Sequence, residues 1–98
     1  MAYKREIKEF TVLKVFNAKE LADGNQLINI DLVNDNGEKV HTVAYSNRSD
    51  VASVNDFIEY IKYLPLTKGS QVIAKVVNTN NPTTKMLTYL APALKTFK

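Results

Sequence analysis

The chain has 98 residues, 45% of them hydrophobic, and a net charge of +3 at neutral pH. That length supports a single domain, residues 1–98, with one core. The lack of cysteine excludes disulfides, zinc–thiolate sites and thiol nucleophiles, and the one histidine, His41, excludes a histidine-rich metal site.

The start, Met1-Ala2-Tyr3-Lys4-Arg5-Glu6, is charged and leads into no apolar run of signal-peptide length, and no later stretch is long enough to cross a bilayer. The expectation is a cytoplasmic protein with no membrane partner. Residues 7–16 predict a first strand, with Ile7, Thr11, Leu13 and Val15 on one side and Phe10, Val12, Lys14 and Phe16 on the other. Both sides carry apolar groups, as in a coiled strand whose exposed face changes along its length. Residues 17–25 read as a connection with Asp23-Gly24-Asn25 as its turn. In the second strand, 26–34, Ile28, Ile30 and Leu32 alternate with Leu27, Asn29, Asp31 and Val33. Asn34-Asp35-Asn36-Gly37 predicts a tight two-residue hairpin at Asn-Gly, and the third strand then covers 38–45.

Asn47-Arg48-Ser49-Asp50 breaks that strand and supplies capping groups, and Ser53 with Asp56 forms a second candidate cap. Val54, Phe57, Ile58, Ile61 and Leu64 recur at helical spacing up to Pro65, so the helix is expected over 50–64. Thr67-Lys68-Gly69-Ser70 turns into a fourth strand, 71–78. The polar run 78–83 is a loop, the fifth strand runs from 85 to 90 or 91, and Pro92 ends regular pairing or confines it to an edge.

The order β-β-β-α-β-β, with one helix between strands three and four, is that of the mainly β oligonucleotide/oligosaccharide-binding (OB) fold, a five-stranded Greek-key barrel. An antiparallel sheet packed on one helix has the same string.

Catalytic chemistry has little to stand on. His41 is a lone strand histidine, Asp31 and Asp35 read as a solvated strand end, and three scattered glycines make no phosphate loop. A non-enzyme without cofactor or metal is expected. Binding is the better reading: single strands are held by stacking bases on aromatic rings and tracking phosphates with Lys and Arg. The basic candidates on strands or at their ends are Lys14, Lys39, Arg48, Lys75 and Lys85, each of which also reads as a solvated surface residue. Phe10 and Phe16 are core or partner-contact residues, Tyr89 is core or a stacking ring, and Tyr60 and Tyr63 flank the helix stripe as core shoulder or protein contact.

Val43-Ala44-Tyr45-Ser46, followed by the helix and by Leu66-Thr67-Lys68-Gly69-Ser70-Gln71-Val72, resembles the middle of bacterial and phage single-stranded-DNA-binding proteins. There a V-A-W-G-K-like strand end precedes a helix and a Y-L-K-K-G-S-x-V segment. Tyr45 stands for the tryptophan and Ser46 for the glycine, and Leu94-Lys95-Thr96-Phe97-Lys98 is basic where the family carries an acidic partner-recruiting peptide. The resemblance implies an OB-fold binder of single-stranded DNA (or RNA) of the compact phage, plasmid or mobile-element type, with Tyr45 and also Phe16 or Tyr89 stacking on bases. Its other implication is an accessory subunit docked on a replicative polymerase, primase or helicase, such as the small protein accompanying the primase-polymerase of staphylococcal cassette elements. Phe10, Val12 and Phe16 on strand one, with Tyr60 and Tyr63, would make that protein contact, because an exposed apolar patch needs a partner.

Overall fold

In the computed structural model, which describes residues 7–49, 51, 56–64 and 66–93, the alternation of apolar side chains builds a core from several strands and one helix. The elements are β1 (Ile7–Val15), β2 (Lys19–Glu20), β3 (Gln26–Val33), β4 (Lys39–Tyr45), α1 (Phe57–Tyr63), β5 (Gln71–Asn78) and β6 (Lys85–Pro92). Ile28, Ile30 and Leu32 of β3 face inward with Ala44 of β4, Val72 and Ala74 of β5, and Leu87 and Leu90 of β6. Burying one of the Val, Leu or Ile side chains contributes about 1.5–3 kcal/mol before the loss of chain entropy is counted.

Strand β1 has two neighbours. Ile7 to Thr11 pair with β5, and Thr11 to Val15 pair with β3. The register with β3 shifts between Val12 and Lys14, the mark of a β-bulge, which inserts a residue and turns the strand. The parity of the strand changes there. Phe10 and Val12 point into the core before the shift, and Val15, not Lys14, packs against it afterwards. The predicted single alternation over 7–16 is corrected accordingly.

The sheet order is β1-β5-β6-β4-β3-β2, and the extra β1–β3 pairing returns the hydrogen-bonded circuit to its start. All pairings are antiparallel except β4–β6, which is parallel through Thr42↔Lys85 and Val43↔Met86. The described residues form six strands where five were predicted, and the helix follows the fourth. The additional strand is β2, which lies within the predicted connection and pairs Lys19 with Leu27 and Glu20 with Gln26.

Two hairpin turns share one geometry. Gly37 donates its N–H to the Asn34 carbonyl and Asn34 donates to Glu38, both at 3.0 Å. Gly24 donates to Leu21 at 3.0 Å and Leu21 to Asn25 at 2.7 Å. In each, a glycine with positive φ, +83° at Gly37 and +91° at Gly24, closes a three-residue connection. The two-residue hairpin expected at Asn36-Gly37 is thus one residue longer. The Asn34 side chain explains this: its Oδ1 accepts from the N–H groups of Asn36 and Glu38 at 2.9 and 3.0 Å, a local bond that stabilises the wider turn.

Helix α1 begins at Asp56, whose Oδ1 accepts from Ile58 and Glu59 at 2.9 and 3.2 Å. Asp56 is therefore the N-cap of α1. Asp50, Ser53, Val54 and Pro65, which the sequence assigns to the helix or its ends, lie outside the described residues. Phe57, Ile58 and Ile61 complete the core. Strand β6 extends through Pro92, tolerated as its last residue. No helix among the described residues is long and apolar enough to cross a membrane.

The twin turns differ in what they join. Gly37 links β3 to β4, two core strands, whereas Gly24 holds a two-residue strand. Forcing a side chain into the left-handed region costs about 1–2 kcal/mol. The prediction is that Gly37→Val lowers the melting temperature by about 4–8 °C per kcal/mol lost, and that Gly24→Val lowers it less because β2 can fray. Equal melting temperatures in circular dichroism would contradict this.

Candidate functional site

Residues that alternate with the core positions of β3 and β4 form an outer face, ordered by register. Lys19, Leu27 and Tyr45 make one row across the strands. Asn29, Val43 and Met86 make the next, and Phe16 joins it by donating its N–H to the Asn29 carbonyl at 3.0 Å. Lys14, Asp31 and His41 make a third. The Lys14 ammonium sits 4.6 Å from the centre of the Phe16 ring, and His41 Nδ1 lies 2.7 Å from Asp31 Oδ1. From strand spacing and rise, Phe16 and Tyr45 are about 12 Å apart.

At the Tyr45 end of this face the connections rise to make an open groove of about 490 Å³. The turn before β3 contributes Leu21, Asp23 and Asn25, and the end of β4 contributes Tyr45, Asn47 and Arg48. The end of β5 adds Asn78, the β5–β6 connection adds Thr79 and Asn80, and Met86 comes from β6. Local bonds fix these walls. Arg48 N–H donates to the Tyr45 carbonyl at 3.3 Å, which folds the chain back and brings ring and guanidinium to the same opening. Ser46 Oγ accepts from Gln26 N–H at 3.0 Å and donates to Asn25 Oδ1 at 3.2 Å, tying the β4 end to the β3 start. In the far wall Thr79 Oγ1 accepts from Asn81 N–H at 3.0 Å, and Asn81 Oδ1 accepts from Thr83 N–H at 2.9 Å.

The electrostatics are balanced. Arg48 is the cation of the groove and Asp23 its carboxylate. The backbone N–H of Asn25, and then its side-chain amide, bond the Asp23 carboxylate and hold its pKa below the usual aspartate range. Asp23 therefore stays ionised at neutral pH. The surface offers one ring face, four side-chain amides, one guanidinium and one carboxylate.

The structure brings together some of the sequence-predicted residues and separates others. Tyr45, half-buried, and Arg48, exposed, line the groove, with Phe16, 37% exposed, and Lys14 on the adjoining face. Lys39 opens β4, six residues and about 20 Å from Tyr45. Lys85 donates to Asn78 Oδ1 at 2.6 Å and faces a different opening, of about 550 Å³, beside Val40 and Val76. Lys75 and Tyr89 pair with each other on β5 and β6, away from the groove. Tyr89 lies instead near Tyr60, whose phenol burial pushes above its ordinary pKa, with Tyr89 adding to the effect. The expectation that these cations could rim one groove is corrected, because the strands wrap and carry them to different sides.

The partner patch is corrected too. Phe10 and Val12 are 4% and 0% exposed and belong to the core, since they precede the bulge. Tyr60 is half-buried, stacks on Phe57 with ring centres 6.0 Å apart, and donates its hydroxyl to the Leu90 carbonyl at 2.8 Å. Tyr63 is 87% exposed. Sequence reasoning missed Lys19, Asn25, Asn47, Asn78 and Asn80. The signal for the four asparagines is their enrichment at the strand ends and connections, which reads first as turn chemistry; Lys19 carries no such signal.

No protein-family model matches the chain, and no curated protein matches it by sequence. Among solved structures, the fold is similar to the solution structure of the second OB-fold domain of replication protein A from Methanococcus maripaludis. The TM-score is 0.54 at 14% identity, and the match covers 94% of this chain and 86% of that one. The likeness shows an OB-like fold, and the described residues are mainly β with a single helix.

Asp23 supplies a prediction with a definite sign. Its pKa is depressed in the fold, so the turn gains stability above the unfolded pKa and loses it as pH falls through the folded value. In a carboxyl-carbon NMR titration the Asp23 midpoint should lie below that of an ordinary aspartate, and Asn25→Ala should raise it. The backbone N–H persists in this variant, so an unchanged midpoint would show that the Asn25 side-chain amide does not contribute.

Proposed function

We propose that this protein is a non-enzymatic, cytoplasmic OB-fold barrel module that binds single-stranded nucleic acid in DNA replication or maintenance, through the groove at the end of β4. The observation that carries this reading is the meeting of Tyr45 and Arg48 in one groove. Counting without the short β2, β3 and β4 are the second and third strands, and OB folds bind oligonucleotides on that face and on the loops after the first and fourth strands. Those loops supply Asp23, Asn25, Thr79 and Asn80 here. The structural neighbour is an OB-fold domain of replication protein A, a class whose OB folds hold single strands by stacking and backbone tracking. The resemblance of the Val43-Ala44-Tyr45-Ser46 segment to single-strand binders supports the same reading. The accessory-subunit alternative drew on Phe10, Val12 and Phe16 of strand one with Tyr60 and Tyr63; burial of Phe10 and Val12 removes part of that support, and Phe16 and Tyr63 stay exposed.

The expected result is that a short labelled oligonucleotide binds the wild type at low salt, measured by fluorescence anisotropy. Tyr45→Ala should weaken binding by about 1–3 kcal/mol, the scale of one lost base stack. Lys75→Ala, on the other side of the ring of strands, should leave it nearly unchanged. Absence of binding at low salt, or a larger loss from Lys75→Ala than from Tyr45→Ala, would overturn the assignment.

A further inference from the structure

Amides, rather than ammonium groups, dominate the groove. Asn47 and Asn80 are exposed, and their side chains have no hydrogen-bond partner among the described residues, so each presents a carbonyl and an NH2 group. Asn78 gives its Oδ1 to Lys85 and keeps its NH2 group. Asn25 is committed locally, accepting from Ser46 and donating to Asp23. Asp23 takes one bond on each carboxylate oxygen, from the N–H and the side-chain amide of Asn25 at 3.0 and 3.1 Å. Each oxygen retains further lone-pair capacity, and an ionised carboxylate can only accept.

That donor and acceptor set is unlike an electrostatic track. Granted the single-strand reading above, we infer that the groove selects bases carrying an exocyclic amino group, cytosine over thymine, and holds them more by edge hydrogen bonds than by phosphate neutralisation. The cytosine N4 amino group donates to a carboxylate, whereas the thymine O4 at the same place would set acceptor against acceptor. The amides pair with either base edge and so add affinity without choosing. Tyr45 stacks on any base, because every base has a π face. Arg48 is left as the groove's contact to phosphate, opposed by Asp23. One neutralised phosphate gives a slope of log affinity on log salt of roughly −0.7, and engagement of Lys14 and Lys19 on the adjoining face brings it to roughly −2.

The test compares oligo(dC) and oligo(dT) of equal length, pyrimidine strands that stack on themselves less than purines do, at several salt concentrations. Wild type should bind oligo(dC) at least about 5-fold tighter, the lower end of discrimination from one good base-edge contact. Its salt slope should be no steeper than about −2. Asp23→Asn supplies a donor as well as an acceptor, so the cytosine-to-thymine ratio should fall toward one. Circular dichroism checks that this variant is folded, and the wild-type ratio and slope stand without it. Equal affinities, tighter oligo(dT) binding or a steeper slope would overturn the selectivity while leaving single-strand binding in place. A cytosine preference that survives in folded Asp23→Asn would overturn the role of Asp23. Failure of wild type to bind either strand at low salt would overturn the single-strand reading and this inference with it.

Discussion

The fold depends on one strand serving two neighbours. β1 hydrogen-bonds to β5 through its first half and to β3 through its second, and the bulge after Val12 is what lets a single chain segment turn from one to the other. Without that inserted residue, Lys14 would fall on the core side and Val15 on the solvent side. The bulge thus closes the circuit of pairings and restores the apolar parity in one step. It also sends Lys14 to the outer face, where it meets the Phe16 ring. A packing requirement of the core therefore sets the chemistry of the neighbouring surface.

The groove is built mostly from connections, yet those connections are well braced. Asn25, Ser46, Thr79 and Asn81 spend hydrogen bonds on nearby backbone or on one another, which fixes the walls without calling on the core. Side chains of the same types that are not so engaged, Asn47 and Asn80, are left to face the opening. Short polar residues suit such a wall, because they satisfy local backbone groups at little cost in side-chain entropy. The balance of Arg48 against Asp23 shows why a net charge of +3 says little about this surface. Lys14, Lys39, Lys75 and Lys85 stand on four different strands.

Much of the fold was legible in the sequence. The alternation of Ile28, Ile30 and Leu32, the helical spacing of Phe57, Ile58 and Ile61, and the glycine at the β3–β4 turn each have a short-range physical cause. The misses share another kind of cause. The bulge in β1 leaves no residue signature, since Leu13 is an ordinary strand residue and only the demands of two partner strands require an extra one there. Strand β2 exists because β3 is long enough to offer an unpaired edge beyond the end of β1. The site was half legible. Tyr45 and Arg48 are neighbours along the chain and stayed together, whereas Lys75, Lys85 and Tyr89 were grouped with them by residue type. Where those three lie depends on which strands become adjacent, including the parallel β4–β6 pair that no local pattern announces.

That parallel pair has a further consequence. Two residue pairs, Thr42↔Lys85 and Val43↔Met86, complete the circuit, whereas β5 and β6 pair from Val72 to Asn78. Of the pairings that make up the circuit, this seam has the fewest paired residues, which makes it a low-energy route for local opening and amide hydrogen exchange. The groove straddles it, with Tyr45 and Arg48 on one bank and Asn78, Asn80 and Met86 on the other. A molecule gripped by both banks acts as a clasp that must release before the seam can part. Its free energy of binding then adds to that of the closed state, and occupancy becomes readable as slowed exchange at the Val43 and Met86 amides.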